Sequence, residues 1–319
     1  MQFLQNPSFD FIGRSRMFLA VSAILSVVAV ALILRPGGLH YGVEFQGGTQ
    51  LIVRFRDTPE IDKVRSAVDK QSTGAVIQTY GEPAAHQVLI RLGTTGGEGE
   101  LSGHADAVLT AIGQAYAENP IVDKSAEIVG PIVGAELRKK AVQLTLFGLL
   151  FQLIYIGWRF RGPVWGSAAT IAVFHDVLVT LGLLSLFHFE ITLNVIAALL
   201  TLVGYSVNDT IVVFDRVREN LRQRRKDPLA KIINDSINQT LSRTLISSGT
   251  TFLTVLGLYL LGGEVLRGFG FTMVVGIVVG TYSSIYIASP IVIWWQGLSA
   301  KGGGVSGKGG QGASVKAAL

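Results

Sequence analysis

Residues 191–214 read ITLNVIAALLTLVGYSVNDTIVVF, an apolar stretch that carries one charged residue, Asp209. A helix needs about 20 mostly apolar residues to cross the hydrocarbon core of a bilayer, so the stretch predicts a membrane-spanning helix. A charged side chain at mid-bilayer costs about 2.5–3.5 kcal/mol on insertion scales, and such a residue faces other helices or a water-filled path instead of lipid. Asp209 therefore indicates a bundle of several helices.

Five further stretches are long and apolar enough to span a membrane. Charged residues make up 15% of the chain, whereas soluble domains carry about 25%, and the mean hydropathy is +0.46. We therefore predict a polytopic α-helical membrane protein with six transmembrane helices. The five other predicted spans are residues 17–34, 141–158, 163–187, 244–262 and 268–295.

The composition also excludes several classes of function. The chain contains no cysteine, which excludes disulfides and cysteine-ligated metals. Its net charge of +5 does not indicate nucleic-acid binding, because the basic residues lie beside apolar stretches and form no stripe with interleaved aromatic residues. We expect the lipid bilayer, and no nucleic acid, among its partners.

Lys and Arg residues are concentrated in alternate connections between the spans. By the positive-inside rule these connections are cytoplasmic, which places both termini in the cytoplasm and residues 36–138 outside. The exit of the first span has no small-x-small cleavage site, so we predict an uncleaved anchor instead of a signal peptide. The basic connections contain Arg14 and Arg16, then Arg159 and Arg161, then residues 215–243.

These features predict a segment map for the whole chain. A cytoplasmic N terminus, a first helix and an extracytoplasmic α+β domain are followed by helices two to six and a disordered cytoplasmic tail. In the same order, the predicted segments are residues 1–16, 17–35, 36–138, 139–298 and 299–319.

The predicted outer domain has the hydrophobic patterns of a small mixed fold. Its segments predict the order β-α-β-β-α-β, which is the ferredoxin-like or split βαβ pattern. Its histidines are scattered and its glycine-rich stretch at 93–99 does not match a phosphate loop, so we expect the domain to bind or brace, with no cofactor and no enzyme activity. The predicted strands are residues 49–55, 75–80, 86–92 and 121–129, and the predicted helices are 59–71 and 101–118.

A cytoplasmic amphipathic segment is predicted within residues 215–243. Asp227 and Pro228 are a favourable cap and first position for a helix. An apolar stripe then follows at Leu229, Ile232, Ile233 and Ile237. We expect this helix to lie flat on the cytoplasmic membrane surface.

Several polar residues lie inside the predicted spans. Asp209 shares a helical face with Asn194, Thr201 and Tyr205, and Asn208 precedes it. The third span carries His175 and Asp176. Arg243 opens the fifth span and shares a face with Ser247, Thr250, Thr251 and Thr254.

Two interpretations of these polar residues stay open. Asp209 and Arg243 on neighbouring helices could form a structural ion pair that fixes helix packing. Alternatively, Asp209, Arg243, Asn208 and Asp176 form a proton relay, with protons as the coupling ion. Ionisable residues inside membranes favour the functional interpretation.

Four segments of the chain are similar to one known family. The run from Val203 to Asn220, VGYSVNDTIVVFDRVREN, resembles the signature of the SecF family, the accessory subunits of the bacterial Sec protein translocase. Similar segments are QTLSRTL at 239–245, VGPIVGAEL at 129–137 and FDF at 9–11. One departure is Glu44 in GVEFQGG at 42–48, where the family usually has Asp; this leaves the role of the carboxylate open.

The resemblance implies a function in protein export. The chain would be a protein-transport subunit of the bacterial cytoplasmic (inner) membrane that uses the proton motive force together with a SecD-like subunit. It would act beside the SecYEG channel on a translocating unfolded polypeptide, through a membrane core like that of RND transporters. Two alternatives are half of an RND-like exporter for lipids or drugs, and a passive scaffold of the translocase.

Overall fold

The computed structural model describes residues 7–72, 75–81, 83–93, 98–160 and 163–302. The helices are α1 (Ser15–Leu34), α2 (Val43–Gln46), α3 (Ile61–Val68), α4 (Glu98–Ala115), α5 (Pro131–Arg159), α6 (Pro163–Leu186), α7 (Leu193–Gln223), α8 (Leu229–Leu261), α9 (Gly263–Ser283) and α10 (Ser289–Gly302). The strands are β1 (His40–Tyr41), β2 (Gly48–Phe55), β3 (Val76–Tyr80), β4 (Gln87–Leu92), β5 (Ile121–Val129) and β6 (Glu190–Ile191).

Six helical segments of the described chain are long and apolar enough to cross a membrane. The prediction of a polytopic helical membrane protein is thus confirmed. The sixth span is formed by α9, a π-helical turn from Ser284 to Ala288, and α10. The six segments are Ser15–Leu34, Ile132–Arg159, Pro163–Leu186, Leu193–Gln223, Leu229–Leu261 and Val265–Trp295.

An α+β domain lies between α1 and α5. Its elements follow one another as β2-α3-β3-β4-α4-β5, and the sheet order is β3-β4-β2-β5 with every neighbouring pair antiparallel. Alternate residues of the strands pack against α3 and α4, because successive side chains of a strand point to opposite faces. The resulting core includes Leu51, Val53, Val64, Ile90 and Ile112, each with no exposed surface.

A short connection joins this domain to the membrane helices. β1 pairs in parallel with β6, which lies in the turn between α6 and α7. Phe45 of α2 is 2% exposed and packs into the core of the membrane helices. A side chain at Gly134 of α5 would come within 3.0 Å of the backbone nitrogen of Gly47. The absence of a Cβ at position 134 thus lets the start of α5 lie close to the α2 segment.

Contacts between α1, α6, α7 and α9 involve small residues. A Cβ atom at Gly182 of α6 would lie 2.5 Å from the Cβ of Ala29 in α1. A Cβ at Gly280 of α9 would lie 3.1 Å from the Cβ of Ser206 in α7. Small residues let helices approach closely in a membrane, where packing drives association.

The prediction of a surface-lying amphipathic helix is wrong. Residues 193–223 and 229–261 form two continuous helices. At about 1.5 Å per residue, each is longer than the roughly 30 Å hydrocarbon core, so both project beyond it. Ile232, Ile233 and Ile237 are each 1% exposed because they pack against the protein core. The predicted apolar stripe is present, but it packs against other helices of the protein instead of the membrane surface.

The ends of the chain are only partly described. Phe9 near the N terminus is held by Asn238, whose Oδ1 accepts from its backbone N–H at 2.9 Å and whose Nδ2 donates to its carbonyl at 2.8 Å. α10 continues to Gly302, past the predicted start of the tail at residue 299. Residues 1–6 and 303–319, and residues 94–97 of the glycine-rich stretch, lie outside the described residues.

Candidate functional site in the membrane helices

Asp176 of α6 is completely buried and is surrounded by donors from three helices. Ser206 Oγ of α7 donates to its Oδ2 at 2.6 Å, and Ser283 Oγ of α9 donates to the same oxygen at 2.7 Å. His175 Nδ1 lies 3.0 Å from Oδ1. Hydrogen bonds are electrostatically stronger in a low-dielectric interior than in water. Asp176 therefore joins α6, α7 and α9.

Asp209 of α7 is 2% exposed and has different partners. Ser248 Oγ of α8 donates to its Oδ2 at 2.7 Å, and Thr281 Oγ1 of α9 donates to that oxygen at 3.4 Å. These hydroxyls are the hydrogen-bond partners that the described chain provides to this carboxylate. A buried carboxylate with hydroxyl donors alone is costly when charged.

The two carboxylates share neighbouring residues. Thr281 and Ser283 are two positions apart on α9, and each serves one carboxylate. Thr210, next to Asp209, donates to the carbonyl of Ser206, whose side chain contacts Asp176. The structure thus brings the two predicted residues into one polar cluster, which we call the carboxylate cluster, without placing them in direct contact.

A π-helical turn follows the cluster immediately. Pro290 has no N–H to donate to the carbonyl four residues before it, and its ring clashes with that carbonyl. The turn from Ser284 to Ala288 accommodates this proline, and Ser289 Oγ donates to the carbonyl of Ser284 at 3.0 Å. Such π-turns occur frequently at functional sites.

The predicted pairing of Asp209 with Arg243 is wrong in this structure. Arg243 is exposed on α8 and makes no ion pair with Asp209. Ser248, which does contact Asp209, lies five residues later, a rotation of about 140° around the helix. Asn208 is also exposed, so the structure separates both residues from the carboxylate cluster.

These two residues belong to polar stripes on the outside of the described bundle. On α7 the exposed stripe is small or polar throughout, at a spacing of three and four residues: Asn194, Ala197, Thr201, Gly204 and Asn208. On α8 the stripe predicted from sequence is mostly exposed, and it consists of Arg243, Ser247, Thr250, Thr251 and Thr254.

Sequence reasoning missed four hydroxyl residues of the carboxylate cluster, namely Ser206, Ser248, Thr281 and Ser283. A usable signal was present in the run Thr-Tyr-Ser-Ser at 281–284, which places four hydroxyls in the middle of an apolar span. Within the part of the chain that the structure describes, no three His, Asp or Glu side chains are placed to hold a metal ion.

The chain matches two family models. One is described as "Protein export membrane protein SecD/SecF, C-terminal" and covers residues 108–298, which include the whole carboxylate cluster. The other is described as "SecD/SecF GG Motif" and covers residues 37–59, which include β1 and α2.

Known relatives are similar over nearly the full length of the chain. The protein translocase subunit SecF of Calditerrivibrio nitroreducens is 42% identical, covering 92% of this chain and 96% of the relative. That of Escherichia coli O157:H7 is 41% identical, covering 89% and 87%.

Solved structures of SecDF have the same fold. The crystal structure of SecDF, a translocon-associated membrane protein from Thermus thermophilus, is 37% identical with a TM-score of 0.81. The match covers 93% of this chain but only 40% of that SecDF chain. A SecDF structure in a super-membrane-facing form is 38% identical with a TM-score of 0.70, covering 95% and 41%. The chain belongs to the SecF family of protein translocase subunits.

Proposed function

We propose that the chain uses the proton motive force to promote protein export, and that Asp209 takes up and releases the proton. The observation that carries this proposal is a carboxylate that is 2% exposed and lies in a membrane-spanning helix, and whose hydrogen-bond partners among the described residues are hydroxyls. A proton gains about 2.3 kcal/mol per 100 mV of membrane potential, and a charged carboxylate at mid-bilayer costs about 2.5–3.5 kcal/mol. The membrane potential therefore supplies free energy of the same order as the cost of a charged carboxylate in the membrane.

Protonation would also change the contacts of three helices. A charged Asp209 accepts hydrogen bonds from Ser248 of α8 and Thr281 of α9. A neutral Asp209 needs an acceptor for its own proton, which a hydroxyl oxygen can provide only after rotating. Because Ser283 on the same α9 holds Asp176, movement at one carboxylate is transmitted to the other.

The exposed stripes support a SecD-like partner in the membrane. Asn208 and Arg243 would face lipid in the isolated chain, which is costly for polar and charged side chains. Small residues such as Ala197 and Gly204 on the same face permit close helix packing. We infer that a SecD-like subunit covers both stripes, and that Arg243 contacts this subunit. The greater length of the solved SecDF chain leaves room for such a second half.

The proposed location is the bacterial inner membrane, with both termini in the cytoplasm. The α+β domain would then face outward, where it could act on an unfolded polypeptide emerging from the SecYEG channel. Because the chain has no native cysteine, Lys70→Cys at an exposed site beyond α3 tests this topology. An impermeant thiol reagent should label it in intact cells, and labelling only after lysis would reverse the orientation.

The coupling role is tested by Asp209→Asn, which keeps the size and hydrogen bonding of the side chain but removes titration. We expect the variant to assemble with its partner and to lose stimulation of export by a proton gradient in membrane vesicles. Arg243→Lys should be partly defective, because Lys keeps the charge but lacks the planar fork of donors. Export is normalised to the amount of assembled complex. Full gradient-dependent export by Asp209→Asn would overturn the proposal and favour a passive scaffold.

A further inference from the structure

The α+β domain and the membrane helices meet at a two-stranded contact, which we call the clasp. His40 and Tyr41 of β1 pair with Glu190 and Ile191 of β6, and the Gly42 N–H donates to the Ile191 carbonyl at 2.9 Å. β1 leads from α1 into the α+β domain. β6 leads from α6, which carries Asp176, into α7, which carries Asp209. A change in the clasp would therefore act on both ends of the molecule.

Two histidines face each other at the clasp. The ring centroids of His40 and His188 are 5.3 Å apart. Nδ1 of His40 is buried and has no hydrogen-bond partner in the described part of the chain. His188 has φ = 58°, in the left-handed region that non-glycine residues seldom adopt. An orphaned polar atom and an uncommon backbone conformation therefore lie together at this junction.

The charges around this pair are unfavourable to a further positive charge. Arg35, at the end of α1, donates to the Ser185 carbonyl at 3.0 Å. Arg91 of β4 forms an ion pair with Glu190, which neutralises the carboxylate nearest to His40 along the strand. Burial, together with His188, Arg35 and Arg91, holds the pKa of His40 below its ordinary value.

The remaining acidic groups face a cavity beside the clasp. Glu44 of α2 and Glu127 of β5 line a cavity of about 530 Å³ together with His188 and Glu190. Burial, and the nearby Glu44, raise the pKa of Glu127. The junction therefore contains several groups that can accept a proton. Among them, the imidazoles are the groups that ordinarily change charge between about pH 5 and 8.

We propose that His40 and His188 form a proton-binding site that opens the clasp when the domain side of the membrane is acidified. With both rings neutral, they pack at 5.3 Å. A charge on the His40 ring would place an imidazolium group near Arg35 and Arg91, and like charges repel. The strands would separate, and the α+β domain would be released from the α6–α7 turn.

The direction of the pH dependence follows from His40. Its pKa is lower in the folded chain than the ordinary histidine value, so the closed clasp prefers the neutral ring. The clasp has its full strength above about pH 6.5 and loses it as the pH falls below that value. This proposal does not depend on the coupling role of Asp209.

Spin labels on two introduced cysteines measure the opening, since the chain has no native cysteine. Val76 of β3 and Leu193 of α7 are both exposed, at 54% and 43%. In lipid nanodiscs, lowering the pH from about 8 to about 5 should shift the distance between the two labels to a longer, broader distribution. The distribution should not change in His40→Gln/His188→Asn, where Asn tolerates the left-handed backbone.

Two controls make the result decisive. His104→Gln removes a histidine of α4 away from the clasp and should keep the full pH response. Asp209→Asn should also keep it, which separates this proposal from the coupling proposal. His188→Asn alone, checked for the wild-type melting temperature, substitutes if the double variant does not fold. An unchanged distance from about pH 8 to about 5 in the labelled parent chain, or the same lengthening in the histidine variants, would overturn the proposal.

Discussion

Apart from α1, the spans differ in how much of their surface is buried but little in how apolar they are. In α6, α7 and the α9–α10 span, 56%, 50% and 61% of the residues in the most apolar window are buried. In α1, α5 and α8 the values are 11%, 6% and 17%. Yet α5 and α6 have similar mean hydropathies of 1.6 and 1.8. Hydropathy determines that a helix is inserted, whereas side-chain size and polarity determine which helices form the interior.

The interior helices carry the features that lipid does not tolerate. Asp176 and Asp209 lie on them, as do the close contacts at Gly182 and Gly280. α8 is intermediate, because Ser248 points inward to Asp209 while Ser247 is exposed. Matched substitutions at buried and exposed positions test this division into interior and peripheral helices.

The largest expected effect concerns two phenylalanines. Phe214 of α7 is 1% exposed and lies between Trp165 and Phe160, with ring centroids 4.9 and 5.8 Å away. Phe147 of α5 is 55% exposed. Phe214→Ala should destabilise the chain by about 3 kcal/mol because it leaves a cavity. Thermal unfolding in detergent measures this, with Phe147→Ala as the control. Equal effects of the two substitutions would contradict the division into interior and peripheral helices.

The second-largest difference in stability is expected between alanine substitutions at Gly182 and Gly204. Gly182→Ala would place a Cβ 2.7 Å from the Cα of Ala29, so α1 must move away from α6. Overpacking of this kind costs about 1–3 kcal/mol. Gly204→Ala on α7 meets no atom within 4 Å and should be nearly neutral in the isolated chain. The same thermal measurement applies, and a neutral Gly182→Ala would show that the α1–α6 contact is not close-packed.

Adjacent serines on α8 give a smaller effect. Ser248→Ala removes the shorter hydrogen bond to Asp209 and should cost about 1 kcal/mol. It should also reduce, without abolishing, the stimulation of export by a proton gradient. Ser247→Ala, one residue earlier and exposed, should change neither quantity. A larger export defect for Ser247→Ala would reverse the assignment of the inward face.

The smallest effect on the isolated chain is expected for Gly204→Leu, because position 204 is open. If the stripe of small and polar residues on α7 packs against a SecD-like subunit, a leucine there should still prevent co-purification with that subunit. Leu193→Ala, at the exposed start of α7, serves as the control. Normal co-purification of Gly204→Leu would move the proposed interface elsewhere.

The sequence was sufficient to predict the spans and the two interior carboxylates. Length and apolarity mark a membrane helix, and the energetic cost of charge at mid-bilayer marks Asp176 and Asp209 as residues that must be covered. The strand predicted at residues 121–129 has the observed bounds of β5. Each of these predictions uses only the residues of a single helix or strand.

The partners of the carboxylates could not be predicted in the same way. They depend on the rotation of each helix about its axis, and α8 carries hydroxyl residues on several sides between Ser242 and Thr254, so its sequence does not fix that rotation. Charge complementarity favoured Arg243, but a rotation of about 140° separates it from Ser248. For the same reason the apolar stripe at Ile232 and Ile233 was assigned to lipid, although it packs against protein.

The central claim is that Asp209 titrates inside the membrane, and infrared spectroscopy tests it most directly. In the chain reconstituted in lipid, acidification should produce the carbonyl band of a protonated, buried carboxyl group. The band should be lost in Asp209→Asn. It should persist in Asp215→Asn, which removes a half-exposed carboxylate of the same helix that pairs with Arg159 at 3.0 Å. A band of unchanged intensity in Asp209→Asn would contradict the claim.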